Sequence, residues 1–182
     1  KTGEGVRFAD VCTGSGCIVI SLLKNLTKAF AVATDLSEPS LELARKTAAR
    51  HAVTERIQFL HGDLLEPLIN HPGGVGRDLH YLVANPPYIP DHEWDAVEPN
   101  VKDYEPESAL RAGPDGLKFV LPILERGPTL LRPGGLIMIE IAAATADTVL
   151  AAARAHPLLQ HARIVKDFEG LPRSLVAEMK RS

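Results

Sequence analysis

Val6-Arg7-Phe8-Ala9-Asp10-Val11-Cys12-Thr13-Gly14-Ser15-Gly16-Cys17 decides the architecture of this chain. Val6 to Val11 is an apolar run that reads as a buried strand, and Cys17 to Leu26 carries a helical pattern. Between them lies a turn built from two glycines. Strand, glycine-rich turn and helix N-terminus, in that order, let the backbone approach a nucleotide-like ligand without Cβ obstruction. Two familiar ligands are excluded. The dinucleotide fingerprint needs a third Gly or Ala three positions after Gly16, where Val19 stands, and no Gly-Lys-Ser/Thr closes the turn as a P-loop.

Working outward, apolar strand-like runs alternate with helix-period segments, which predicts an α/β fold with a doubly wound, mostly parallel sheet. Phe30 to Thr34 ends in Asp35, with Leu36 beside it, about twenty residues past the glycines, where a carboxylate can accept from both hydroxyls of a ribose. Asp35 also stands where a helix cap could be, but Ser37 is the better cap for the helix predicted over Ser37 to Ala52, which leaves Asp35 free. That helix shows an inner stripe of Leu41, Leu43, Ala44, Ala48 and Ala52. Ile57 to His61 leads into Gly62-Asp63-Leu64, where Asp63 can accept from an adenine amino group or remain a solvated loop acid. Asp10 reads as an acceptor fixing the glycine turn from below.

The fourth apolar run, Leu79 to Ala84, ends in Asn85-Pro86-Pro87-Tyr88. Each proline holds the residue before it extended and lacks an N–H, so the segment is a stiff rim of acceptors. The Asn85 side-chain oxygen and the Pro86 carbonyl can grip the two hydrogens of a planar NH2 group while Tyr88 offers a flat face. Alone, the tetrapeptide is also a plain strand-ending turn. With a glycine loop, a ribose acid and an adenine acid at the ends of the three preceding strands, it completes the layout of an S-adenosylmethionine site and suits methyl transfer to an amide or exocyclic amine.

Together these motifs, with Tyr104-Glu105-Pro106, Ala112-Gly113-Pro114-Asp115-Gly116-Leu117, Arg132-Pro133-Gly134-Gly135 before a fifth strand at Leu136 to Ile141, and Asp167 to Arg173, resemble the HemK/PrmC family of protein glutamine methyltransferases over the whole chain. The resemblance implies a class I, Rossmann-like methyltransferase fold: a seven-stranded, mostly parallel sheet with a C-terminal antiparallel hairpin. It implies S-adenosylmethionine as cofactor and, as protein partner and substrate, the Gly-Gly-Gln loop of peptide chain release factors. By motif position Asp10, Cys12, Thr13, Gly14, Ser15 and Gly16 belong to the cofactor loop, Asp35 with Leu36 to the ribose, and Asp63 with Leu64 to the adenine. Asn85, Pro86, Pro87 and Tyr88 would hold the glutamine amide, with Asn85 also bordering the cofactor. Cys12 stands where glycine is common, and Ile141 to Thr145 departs from the family's pattern after strand five. Residues 1–182 are expected to form one such domain, without the helical N-terminal domain typical of the family. A DNA or RNA exocyclic-amine methyltransferase and a non-catalytic binding module remain alternatives.

The chain has 182 residues, of which 45% are hydrophobic, enough for one domain with a sizeable core. A net charge of −3 and a pI near 6.2 make nucleic acid an unfavoured partner, since such binding needs Lys and Arg to neutralise phosphates. Neither the seven histidines nor Cys12 and Cys17 have a metal-site spacing, so no metal is expected. No signal peptide or membrane span is evident, and the expected location is a reducing cytoplasm. Pro90 to Gly116 is too long for an ordinary connection and is expected to be a lid or partner-contact loop, with Trp94 packed beneath it. Pro122 and Pro128 should kink or split a helix over Leu117 to Leu131. A closing hairpin is expected from Ala162 to Asp167 and Leu175 to Lys180.

Overall fold

In the computed structural model, which describes residues 5–104 and 106–181, seven strands form a single sheet in the order β3-β2-β1-β4-β5-β7-β6. The strands are β1 (Arg7–Val11), β2 (Phe30–Asp35), β3 (Ile57–His61), β4 (Leu79–Ala84), β5 (Leu131–Glu140), β6 (Leu159–Lys166) and β7 (Pro172–Met179). The first five pair in parallel, and β7 runs antiparallel to both β5 and β6. The expected mostly parallel sheet with an antiparallel C-terminal hairpin is therefore present. Glu105 of the Tyr-Glu-Pro motif lies outside the described residues.

Alternation along the central strands fills two cores. Phe8 of β1 and Ala31 and Ala33 of β2 pack on one face against Val19, Ile20 and Leu23 of α1 (Cys17–Asn25) and Ala48 of α2 (Glu38–Arg50). Ala9, Val11, Val32, Leu82, Ile137 and Ile139 fill the other face. There they meet Leu68 of α3 (Glu66–Ile69), Ile123 of α5 (Val120–Arg126) and Val149 of α6 (Ala146–Ala155). A parallel sheet covered on both faces needs strands apolar on both sides, which explains the continuous runs in the sequence. A further short helix, α4 (Pro99–Tyr104), lies within the long Pro90–Gly116 loop.

Several local expectations are refined. Ser37 does cap α2, accepting from the Ser40 amide at 3.3 Å. The α2 stripe is Leu41, Ala44 and Ala48; Leu43 is 50% exposed, because two residues along a helix turn about 200° from Leu41. Ala52 lies past the helix end, exposed, in a left-handed turn. The helix around Leu117 to Leu131 is split: α5 holds Pro122 in its first turn, where no intrahelical bond is lost, and a 3-10 turn over Gly127–Leu130 contains Pro128. Strand β5 starts at Leu131 rather than Leu136. Leu131 pairs with Leu79 and Leu136 with Tyr81, so Arg132–Gly135 bulges opposite His80 and the Pro-Gly-Gly sits inside the strand's span. The hairpin strands extend beyond the expected limits to Leu159 and Pro172.

Candidate active site

The chain winds outward from β1 through β2 to β3, then returns to place β4 on the other side of β1. Crevices outside the carboxyl ends of such strands are where open α/β sheets take ligands. Register decides what emerges there. Val11 lies opposite both Thr34 and Ala84, so the next residues, Cys12, Asp35 and Asn85, leave three adjacent strands at one level.

The β1 turn is held by its own polar groups. The Thr13 amide donates to the Thr34 carbonyl at 3.0 Å, and the Gly16 amide to the Thr13 carbonyl at 2.9 Å. Asp10, 1% exposed, points to the face covered by α1 and accepts from Thr13 Oγ1 at 2.7 Å through Oδ2, while Oδ1 has no partner among the described residues. Burial pushes its carboxyl up to about 7, against smaller lowering by Thr13 and the Val19 amide in the first turn of α1 and a raising contribution from Asp35. Asp10 thus supports the turn from beneath, as expected.

Asp35 is not free, contrary to expectation. Its Oδ2 accepts from the Gly14 amide at 2.8 Å and its Oδ1 from the Ser37 amide at 2.8 Å. One carboxylate ties the β1 turn to the start of α2. Each oxygen keeps a second lone pair, so the half-buried group can still receive two more donors. Gly14 takes φ +55°, and a Cβ placed there would meet nothing within 4 Å, so the turn opens onto a cradle.

Cys12 has φ 59°, which explains why glycine suits the position; left-handed backbone costs an L-residue about 1–2 kcal/mol. Burial first, then Asp35, Asp10 and Asp63, push its thiol up to about 12. The three carboxylates thus converge on the β1 turn, and none forms an ion pair among the described residues. Near pH 8 only about one Cys12 in ten thousand would be thiolate, so iodoacetamide should label exposed Cys17 at least about 100-fold faster. Peptide mapping after timed alkylation measures this, and equal rates would contradict the burial of Cys12.

Asp63 is exposed, while Leu64, half-buried at φ 45°, has its carbonyl held by Thr34 Oγ1 at 2.9 Å. Leu36, 64% exposed, has its carbonyl 2.9 Å from His61 Nε2. Both leucines therefore sit on tethered backbone beside the Asp35 and Asp63 loops.

Across from the turn, β4 delivers the acceptor rim. Asn85 is exposed and its side chain makes no hydrogen bond among the described residues, whereas Pro86 is buried and Pro87 and Tyr88 are half-buried. The Arg173 guanidinium is near enough to feel the Tyr88 phenol and Glu140, and it donates to Asp167 Oδ2 at 2.9 Å, fixing the β6–β7 turn at this edge.

Sequence reading missed the tethers Thr34 and His61, for which strand pairing was the signal, since both belong to the β2–β3 ladder. Trp94 is half-buried, 5.4 Å from the Lys102 ammonium and 5.5 Å from the Arg111 guanidinium, inside the loop rather than sealed beneath it. Cavities of about 260 Å³ and about 700 Å³ lie at the opposite edge of the sheet, lined by strand beginnings such as Arg7, Phe30 and Ile57 in the first and Arg7 and His80 in the second. Neither touches the site. Among the described residues, no group of His, Cys, Asp and Glu could hold a metal ion and no helix is long and apolar enough to cross a membrane.

Comparison with known proteins bears on the family and the fold. The methyltransferase-domain family matches residues 8–102. A release factor glutamine methyltransferase of Geobacter sulfurreducens is 41% identical over 150 residues, covering 82% of this chain and 50% of its own length. The enzyme of the same name from Bacillus cereus is 33% identical over 177 residues, covering 97% of this chain and 60% of its own length. The chain thus spans about half or somewhat more of the curated relatives it matches. Among solved structures, TrmN from Thermus thermophilus superposes with a TM-score of 0.64 at 26% identity, over 97% of this chain and 44% of that one.

Proposed function

The chain belongs to the methyltransferase-domain family, and from that premise we propose that it is an S-adenosylmethionine-dependent N-methyltransferase whose acceptor is the side-chain amide of the glutamine in the Gly-Gly-Gln loop of peptide chain release factors. Residues 1–182 would act as its catalytic domain, in the cytoplasm, where Cys12 and Cys17 stay reduced. One observation carries the reading: the unpartnered Asn85 side chain leaves β4 at the level where the open Gly14 turn leaves β1. The resemblance to release factor glutamine methyltransferases supports the choice of substrate.

The residues fit the cofactor. Gly14 leaves the space that a Cβ would fill, and Asp35 retains two lone pairs for vicinal hydroxyls. Exposed Asp63 can accept from an amino group between apolar Leu36 and Leu64. Carboxylates without cationic partners suit a ligand that carries positive charge and donors. When bound, S-adenosylmethionine supplies an electrophilic methyl group on a sulfonium.

An amide nitrogen is a poor nucleophile, because its lone pair is delocalised into the carbonyl. Asn85 Oδ1 and the Pro86 carbonyl would accept its two N–H groups and fix its orientation. As nitrogen gains positive character those N–H groups grow more acidic, so both acceptors hold the transition state more strongly than the ground state. Pro86 and Pro87 bring no N–H to compete. The displaced proton leaves easily from the alkylated nitrogen, and no strong base is required.

Asp35→Ala should weaken S-adenosylmethionine binding about 30-fold or more, since charge-assisted hydrogen bonds are lost, while turnover at saturating donor falls less than about fivefold. Calorimetry beside single-turnover kinetics separates the two. The function itself is tested by incubating the chain with labelled methyl donor and either a release factor or a nucleic-acid pool. Label on the Gly-Gly-Gln glutamine supports the proposal; label on base amines alone, with steep salt dependence, would replace it by the nucleic-acid reading.

A further inference from the structure

We infer that Arg111 is a positioning residue that locks the Asn85–Tyr88 rim by strapping the return of the Pro90–Gly116 loop across the residues that follow it; its catalytic consequence rests on the methyl-transfer reading above. The strap is visible in the backbone. The Ile89 amide donates to the Leu110 carbonyl at 2.9 Å, the Ala112 amide to the Ile89 carbonyl at 2.8 Å, and the Asp91 amide to the Gly113 carbonyl at 2.9 Å. Ile89, next to Tyr88 in the chain, forms an isolated parallel bridge with Arg111. Farther along the return, Gly116 has φ +75°, and a Cβ there would lie 2.7 Å from the Tyr88 carbonyl oxygen. The returning chain therefore abuts the last residue of the rim, and any slip would reach Asn85 within a few bonds.

Arg111 fastens this arrangement from the side-chain layer. Its Nε and Nη2 donate to Asp91 Oδ1 at 3.0 Å and 2.9 Å, its Nη1 donates to Glu107, and its guanidinium lies 5.5 Å from the centre of the Trp94 ring. Glu107 belongs to the 3-10 turn Glu107–Ala109, and Asp91 and Trp94 to the 3-10 turn Asp91–Ala96. One planar side chain thus joins the outgoing and returning limbs of the loop. Exposed ion pairs taken singly contribute little, but a fork that meets two carboxylates and stacks on a ring is a geometry lysine cannot copy.

Trp94 is the chain's only tryptophan, so its emission reports on the strap directly. In the whole chain, Arg111→Met should redden and expose Trp94 emission and speed exchange of the Ile89 and Ala112 amides by about 10-fold or more. Turnover of a release factor at saturating donor should fall about 5- to 20-fold with donor affinity unchanged, while Arg111→Lys recovers less than half of the loss. Asp91→Asn should reproduce part of each effect. Unaltered exchange and emission in Arg111→Met would overturn the inference, as would faster exchange with full turnover or complete rescue by lysine. If the unsubstituted chain modifies no release factor, the function proposal fails, yet exchange and emission still decide whether Arg111 fastens the loop.

Discussion

Asn85→Ala is expected to lower turnover about 100- to 1,000-fold while leaving S-adenosylmethionine affinity within about threefold and stability within about 0.5 kcal/mol. The separation follows from where Asn85 sits. Its side chain is exposed and bonded to no described residue, so its removal breaks nothing in the fold. The proposed cofactor cradle is built from Thr13 and Gly14, just past the end of β1, and from Asp35 at the end of β2, and their hydrogen bonds do not involve Asn85. On the proposed mechanism, alanine removes an acceptor for an N–H that becomes more acidic during transfer, and such an acceptor acts mainly on the barrier. Single-turnover rates with saturating donor, alongside donor calorimetry, give both numbers. Comparable losses in rate and donor affinity would place Asn85 in cofactor binding instead.

The second large effect concerns pH. Asp10 has an ordinary carboxyl value of 3.8 but about 7 in the folded chain, because burial disfavours its charged form. A raised folded value means that the native state binds the proton more tightly than the unfolded chain. Its stabilising contribution is therefore complete below about pH 4, is lost as pH rises to about 7, and stays lost above. At roughly 1.4 kcal/mol per pH unit, the swing is on the order of 4 kcal/mol. Asp10→Asn keeps an acceptor for Thr13 and removes the buried ionisation. Its stability relative to the unsubstituted chain should therefore climb from pH 4 to pH 7 and level off beyond. Denaturant melts across that range read the difference, and a gap that does not vary with pH would refute the burial assigned to Asp10.

Much of this site was legible because strand ends speak in short motifs. The glycine turn, the acid ending β2 and the donor-free prolines ending β4 each announce themselves locally, and a parallel sheet then aligns them. The role of Asp35 as a backbone tie was hidden, because it depends on how the Gly14 and Ser37 amides fold back toward it. Leu43 was misplaced by counting apolar residues without their helical angle. Arg132–Gly135 looked like a lead-in to β5, since nothing local reveals that Leu131 already pairs with Leu79. Arg111 was invisible as a strap for the same reason: its partners Asp91 and Ile89 lie about twenty residues back, joined only by the closed loop.

The most direct measurement is a crystal structure of the chain with S-adenosylhomocysteine and a glutamine-bearing release factor peptide. The glutamine amide nitrogen is expected about 3 Å from both Asn85 Oδ1 and the Pro86 carbonyl oxygen, facing the sulfur held above Gly14. An amide bound elsewhere, or a rim turned away from the Gly14 turn, would contradict the central claim.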